Sequence, residues 1–258
     1  MIWLIGGTSE SVIVAELILQ HNLPVIISIT TEKARQLYSA FAHDSNCYVF
    51  VGKLSSLQVT LFLQQYSIKS IVDCSHPFAI EISQLAIDIS KQFNLPYIRY
   101  EREEIIRTGD QSPLIKYIDS WESLVGADSP LRNKRVLLTI GAKTLPLFKN
   151  LQSQATLFCR VLPYPQSLNI AEQAGFTNDR IIAIRPPLNL DFEKALWQMW
   201  QIDIVVTKAG GKAGGEDLKY QVSQELNLPL LVISRPQINY PYITNDLKLI
   251  TYFLLKHK

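Results

Sequence analysis

Two hydrophobic patterns alternate along the chain. Short unbroken apolar runs, many of them β-branched, predict strands buried on both faces. Between them, apolar residues recur every three or four positions, the period of an amphipathic helix. Met1–Ile5 opens the series and stops at Gly6-Gly7; Val12, Ala15 and Leu19 then mark a helix. Pro24–Thr30 predicts the second strand, Thr31–Phe41 a helix, and Cys47–Val51 a short third strand. Ser55–Tyr66 predicts a helix with Leu57, Leu61 and Phe62 on one face. A strand over Ile68–Asp73, a helix over Ala79–Phe93 and a strand over Pro96–Tyr100 follow. Such alternation with short loops predicts a parallel sheet with right-handed crossovers.

The rhythm breaks over Arg102–Pro113, a charged stretch holding Gly109, Ser112 and Pro113, and a domain boundary is expected there. Ile115–Ile118 then reads as an edge strand and Ser120–Ser123 as the start of a short helix. Further strands are expected over Arg135–Ile140, Ala155–Leu162, Arg180–Ile184, Ile202–Thr207 and Pro229–Ile233. Helices are expected over Thr144–Leu151, shortened by Pro146, and over Ser167–Ala174, Asp191–Trp200 and Glu216–Leu226. Thr244–Lys258 reads as a terminal helix. The expected fold is α/β: two Rossmann-like domains with mainly parallel sheets, residues 1–104 and 105–258, and a cleft between them.

Composition changes this picture little. Of 258 residues, 47% are hydrophobic and 19% charged, a globular balance, and the net charge is +2. No strongly basic face is implied, so neither nucleic acid nor membrane is expected as a partner, and an acidic ligand must be met by local cations. Cys47, Cys74 and Cys159 are far apart and form no Cys-x-x-Cys, which argues against a disulfide scaffold or zinc ribbon. A strand beginning almost at Met1 leaves no room for a signal peptide, and a cytoplasmic protein is expected.

Ligands of open α/β sheets bind beyond the carboxyl ends of the strands. Here those ends are rich in Gly, Ser, Thr, Lys and Arg, which suits phosphates and carboxylates. Gly6-Gly7-Thr8-Ser9 joins a strand to a helix N-terminus, a place for a pyrophosphate, although the third glycine of Gly-x-Gly-x-x-Gly is missing. The plainer reading is a turn capped by Thr8. The second strand ends in Thr30 and Thr31, with Lys33 and Arg35 close behind, where an NAD site usually places an acid. Hydroxyls with Arg suit a 2′-phosphate, so NADPH is expected, with NADH as the alternative; Glu32 dissents unless it points away. His76, in Ser75-His-Pro-Phe78, is either a ligand-side proton donor or a structural loop residue. Lys208-Ala-Gly-Gly-Lys-Ala-Gly-Gly215 resembles a P-loop, but Glu216 and Asp217 stand where Lys and Ser/Thr are needed. No nucleophile elbow and no cluster with metal-ligand spacing occurs, so no metal is expected. Such a chain suits hydride transfer, in which the cofactor carries the reaction.

Several stretches resemble precorrin-6A reductases. They are Ile5-Gly-Gly-Thr-x-Glu10, Asp73-x-x-His76-Pro-Phe-Ala79, Pro96-Tyr-x-Arg99 with Glu101-Arg102, and Leu138-Thr-Ile-Gly141. Val206-Thr-Lys208 with the following glycine pairs and Lys219, and Pro229-Leu-x-Val-Ile-x-Arg235-Pro236, complete the series in family order. The resemblance implies an oxidoreductase of cobalamin biosynthesis that reduces a CH–CH double bond of precorrin-6A, or its cobalt form, with a nicotinamide cofactor. It implies two α/β domains with cofactor and macrocycle between them, a corrinoid partner, and contact with other pathway enzymes by substrate transfer. By matching motif, Gly6, Gly7, Thr8 and Ser9 would hold the pyrophosphate. Thr30, Thr31 and Arg35 would meet the adenosine end, and Ser75, His76 and Phe78 the nicotinamide half. Arg102, Lys143, Arg160, Lys208, Gly210 and Gly211 would face the macrocycle, with His76 as candidate proton donor. The family's usual Asn/Asp-Ser after the lysine is replaced by Ala209 before Gly210-Gly211, which puts a side-chain hydrogen bond there in doubt. A non-catalytic NADP-binding sensor or scaffold is the competing reading.

Overall fold

A computed structural model describes residues 1–103 and 112–258. It divides into two units, Met1–Glu103 with Pro236–Lys258, and Glu104–Arg235. The boundary expected between residues 104 and 105 lies outside the described residues.

In the first unit the elements are Ile2–Ile5 (β1), Ser9–Gln20 (α1), Val25–Ile29 (β2), Glu32–Arg35 (α2), Cys47–Val51 (β3), Ser56–Gln65 (α3), Ser70–Asp73 (β4), Ile80–Gln92 (α4) and Tyr97–Tyr100 (β5). Every residue of β1, β2 and β4 is buried, as their unbroken apolar runs require of strands covered on both faces. Leu4 lies beside Ile27 on one side and Val72 on the other, which sets the parallel register.

The second unit contains Ile115–Ile118 (β6), Glu122–Val125 (α5), Arg135–Leu138 (β7), Thr156–Val161 (β8), Pro165–Gln173 (α6), Ile181–Ala183 (β9), Leu190–Met199 (α7), Ile204–Lys208 (β10), Glu216–Leu226 (α8) and Leu230–Ile233 (β11). Its sheet runs β6-β11-β10-β7-β8-β9, all parallel.

Residues 236–258 depart from expectation. The sequence places them with the second domain; the structure returns them to the first unit as Ile243–Thr244 (β12) and Leu247–Lys256 (α9). The cause is complementary surface. Ile250, Phe253 and Leu254 share a core with Val14, Ala15 and Ile18 of α1. Arg99 N donates to Tyr242 O at 2.8 Å and Glu101 N to Thr244 O at 2.9 Å, which adds β12 to the edge of β5. The first sheet is therefore β12-β5-β4-β1-β2-β3, a doubly wound order whose sixth strand comes from the tail.

Three helices differ from expectation. The one expected over Thr144–Leu151 is instead a 3-10 helix over Ala142–Ser153 with Pro146 inside it. Thr31–Phe41 does not form one helix: α2 stops at Arg35 and a 3-10 turn spans Gln36–Phe41. Tyr38 breaks the helix at φ −108°, ψ 15°, because its side chain turns into the core. In α3 the buried face is Val59, Phe62 and Leu63, while Leu57 is 86% exposed and Leu61 66%. Phe62 sets that phase, packing edge-on against Trp3 and Phe50, each at 5.3 Å between ring centroids.

Strand order reverses between β1 and β4 in one sheet and between β7 and β10 in the other. Those are the points where ligands meet doubly wound sheets. No helix among the described residues is long and apolar enough to cross a membrane.

Candidate functional site

β1 ends at Ile5 and α1 begins at Ser9, so the chain turns within Gly6, Gly7 and Thr8. Gly7 adopts φ +99°, and a Cβ on it would meet nothing within 4 Å. The turn is open on that side. Gly6 is closed: a Cβ there would strike the Tyr38 hydroxyl and come within 2.8 Å of Ile27 Cγ2. The first glycine thus makes room for the protein's own side chain, and the second leaves room for a ligand.

The turn's polar groups are largely spent internally. Thr8 caps α1, its hydroxyl accepting from Ser11 N at 3.1 Å and donating to Cys74 O at 2.8 Å. Gly6 N donates to Ser28 O at 3.0 Å, Gly7 N to the Tyr38 hydroxyl at 2.8 Å and Thr8 N to Ser11 Oγ at 3.1 Å. For an anion there remain the amides of Ser9 and Glu10, which no α-helix satisfies internally, and the positive end of the helix dipole. Ser9 is exposed, and its hydroxyl donates to Glu10 Oε2 at 3.0 Å. Arg102 Nη1 lies 3.3 Å from Glu10 Oε1, so this arginine stands beside the first turn of α1.

Thr30, Thr31 and Arg35 are exposed beyond β2. Thr31 caps α2, accepting from Ala34 N at 3.3 Å. Glu32 does not point away. Arg35 Nε donates to Glu32 Oε2 at 2.8 Å and Nη2 to Oε1 at 3.3 Å, a two-point pair. That bond lowers the Glu32 carboxyl from its ordinary value and raises the Arg35 guanidinium. A cation suited to a 2′-phosphate and a carboxylate suited to a 2′-hydroxyl share one position.

Asp73 closes β4 with no exposed surface. Oδ1 accepts from Ser75 N at 2.9 Å and Arg99 Nη1 at 2.8 Å; Oδ2 accepts from Ser83 Oγ at 2.7 Å and Tyr97 Oη at 2.8 Å. Four donors fill the capacity of one carboxylate. Arg99 is 1% exposed and also meets Ser75 Oγ at 2.8 Å, Glu101 Oε2 at 2.6 Å through Nε, and the Tyr240 ring at 5.3 Å. Burial alone would lower the Arg99 guanidinium, but Asp73 and Glu101 outweigh it and hold it above its ordinary value. Ser75 is consumed by this network. His76, next to it, is exposed; its Nδ1 accepts from Phe78 N at 3.2 Å and its ring lies 5.9 Å from the Phe78 ring. The neutral imidazole therefore carries its proton on Nε2. Glu10, Ser75, Arg99, Glu101 and Arg102 help line a small polar recess at these strand ends.

In the second unit Lys143 is exposed just past Gly141, which has φ +81°. Lys208 ends β10; its Nζ donates to Thr144 Oγ1 at 3.0 Å and lies 5.3 Å from the centre of the Trp121 ring. Burial pulls its pKa down to about 8. The loop after it is held by α8. Gly211 N donates to Glu216 Oε2 at 2.7 Å, and Lys219 Nζ donates to Gly214 O at 2.7 Å and Gly215 O at 3.0 Å. Burial, then the charge of Arg160, lowers Lys219 to about 8. Gly210 N turns back to Lys208 O at 2.7 Å, so Gly210 and Gly211 contribute backbone shape rather than donors. Arg160 pairs with Glu193, whose second oxygen accepts from Trp197 Nε1 at 3.2 Å.

The family described as Precorrin-6x reductase CbiJ/CobK matches residues 1–254. A cobalt-precorrin-6A reductase of Synechocystis sp. is 45% identical over 258 residues, covering 99% of this chain and 96% of that protein. One from Priestia megaterium is 30% identical, covering 99% and 98%. The chain belongs to the precorrin-6A reductase family. It is thus an oxidoreductase of the type found in cobalamin biosynthesis. The solved structure of CobK precorrin-6A reductase matches its fold with a TM-score of 0.76 at 21% identity, over 99% of this chain and 96% of that one.

Within this reductase the motif residues divide by what they touch. Asp73, Ser75, Arg99, Arg160 and Gly211 are bound into the protein's own polar contacts. Gly7, Ser9, His76 and Lys143 present exposed surface at strand ends, and Lys208 is half-buried there. Sequence reasoning missed Tyr38 and the organising role of Glu216 and Lys219. A signal existed for the last two: they are charged residues three apart on the face of α8 that Tyr220, Val222 and Ser223 bury. Tyr38 had none, because its segment was read as continuous helix.

Arg99→Met would remove the positive charge that pairs with buried Asp73 and part-buried Glu101. Urea unfolding at pH 7 should show a loss of about 3–5 kcal/mol; a loss below about 1 kcal/mol would mean that the network is dispensable.

Proposed function

We propose that the chain reduces a double bond of precorrin-6A, or of cobalt-precorrin-6A, to the 6B form with NADPH as hydride source. The observation that carries this reading is the open turn at Gly7. It runs into the unspent amides of α1 in a chain 45% identical to a cobalt-precorrin-6A reductase. Ser9 and Glu10 amides would hold the pyrophosphate, with Arg102 offsetting the Glu10 carboxylate. Thr30, Thr31 and Arg35 would meet the adenosine end, with Glu32 leaving NADH as the weaker alternative. His76 and Phe78 would take the nicotinamide half. When bound, the nicotinamide supplies a hydride to one ring carbon, and the neighbouring carbon takes a proton. The Nε2 proton of His76 is the candidate for that transfer. On the second unit, Lys143 and Lys208 would attract the macrocycle's acetate and propionate carboxylates, while the glycine loop gives the backbone shape against which it packs. Positioning both reactants supplies much of the acceleration.

The purified protein should oxidise NADPH only when the macrocycle is supplied. Binding of NADPH without turnover on either macrocycle form would leave a non-catalytic NADP-binding protein instead. Arg35→Ala should weaken NADPH about tenfold or more and NADH little; equal losses would remove the 2′-phosphate assignment. His76→Asn should lower kcat at saturating cofactor roughly 100-fold, and an unchanged kcat would transfer the proton-donor role to solvent. Lys208 carries its charge below pH about 8 and loses it above. The macrocycle's carboxylates remain ionised there, so attraction weakens as pH rises. KM for the macrocycle should increase between roughly pH 7 and 9, and Lys208→Arg should flatten that rise; a pH-independent KM in the native protein would exclude Lys208 from binding.

A further inference from the structure

We propose that Tyr38 is a positioning residue for the cofactor turn: its hydroxyl fixes the Gly6–Gly7 peptide and so holds the first amides of α1 ready for the pyrophosphate. The inference rests on the reading of that turn as the cofactor site.

Proton accounting defines the arrangement. Ser11 has one hydroxyl proton, and it goes to Thr8 O at 2.6 Å. In the 2.6 Å contact between Ser11 Oγ and Tyr38 Oη, Tyr38 must therefore donate. That leaves the phenolic oxygen to accept from Gly7 N at 2.8 Å. A directed chain results, from the Gly7 amide through the Tyr38 and Ser11 hydroxyls to the Thr8 carbonyl. Burial, opposed by the bonds to Ser11 and Gly7, raises the phenol above its ordinary value and keeps its proton in place.

Tyr38 is 2% exposed, and its hydroxyl occupies the space a Gly6 side chain would need. Neighbouring peptides have other ties: Gly6 N to Ser28 O and Thr8 N to Ser11 Oγ. Gly7, at φ +99° and facing open space, is held through Tyr38. Without that bond its peptide gains freedom that must be lost again when an anion binds, which weakens affinity. The hydroxyl touches the turn, which serves both cofactors, and not Arg35 or His76. Its loss should therefore change affinity without changing cofactor preference or the chemical step.

The test is Tyr38→Phe in the full chain, with NADPH and NADH dissociation constants from titration calorimetry and steady-state kinetics on the macrocycle. Both dissociation constants should rise by the same factor, roughly five- to tenfold, for the loss of one or two hydrogen bonds. The NADPH-to-NADH ratio, kcat at saturating cofactor and KM for the macrocycle should stay within about twofold. Unchanged cofactor affinity with only a lower Tm would make Tyr38 merely structural and overturn the proposal. So would tighter binding, which would show that the hydroxyl competes with the ligand for the Gly7 amide, or an altered cofactor ratio. Should Tyr38→Phe not fold, Ser11→Ala, which removes the acceptor of the phenolic proton and also frees Thr8 N and Thr8 O, should raise both dissociation constants by at least that factor, again with an unchanged ratio. Native protein that binds neither cofactor would defeat the reading of the turn itself, a result distinct from native binding with an unaffected variant.

Discussion

A carboxylate out of reach of water has to find a donor for each lone pair, and Asp73 does so with groups from several elements. Ser75 N comes from the loop after β4, Arg99 and Tyr97 from β5, and Ser83 from α4. Satisfying Asp73 therefore fixes how the loop leaves the sheet, and with it where His76 stands. Arg99, buried in turn, carries a positive charge that draws Glu101 inward. The backbone of Arg99 and Glu101 receives the returning tail. One desolvated charge thus organises the carboxyl ends of β4 and β5 through hydrogen bonds, each of which would be costly to leave unmade.

Each unit solves the same problem at its glycine turn. Glycine gives a chain the close approach and left-handed dihedrals that a ligand loop needs, and it also gives freedom that binding must remove. In the first unit polar side chains hold the turn: Tyr38 takes the Gly7 amide and Ser11 the Thr8 amide. In the second, Glu216 takes the Gly211 amide and Lys219 the carbonyls of Gly214 and Gly215. Both loops are therefore ordered when the protein folds. This also accounts for charged residues inside α8. They offset the unmet polar groups of a loop with too few backbone partners of its own.

The order of strands and helices, the parallel sheets and the glycine turns were legible in the amino-acid pattern. Strands buried on both faces and helices of 3.6-residue period leave different local marks. Candidate residues at strand ends were legible too, because crossover topology puts them there whatever their side chains do next. Their commitments were not. The letters alone do not show that Arg35 binds Glu32, that Arg160 binds Glu193 or that Ser75 meets Arg99.

By itself the sequence determined what local physics can determine: where most of the strands and helices lie, and where glycine permits a turn. Tertiary structure decided everything that depends on which distant surfaces meet. It returned residues 236–258 to the first unit, since the apolar stripe of α9 fits α1. It rotated α3 to bury Val59 and Leu63 in place of Leu57 and Leu61, and broke the helix at Tyr38. It also divided the two glycines after β1, one closed by a tyrosine and one open. The physical reason is the same in each case. Periodicity records a residue's neighbours along the chain, whereas burial, proton donation and ion pairing depend on neighbours that only packing supplies.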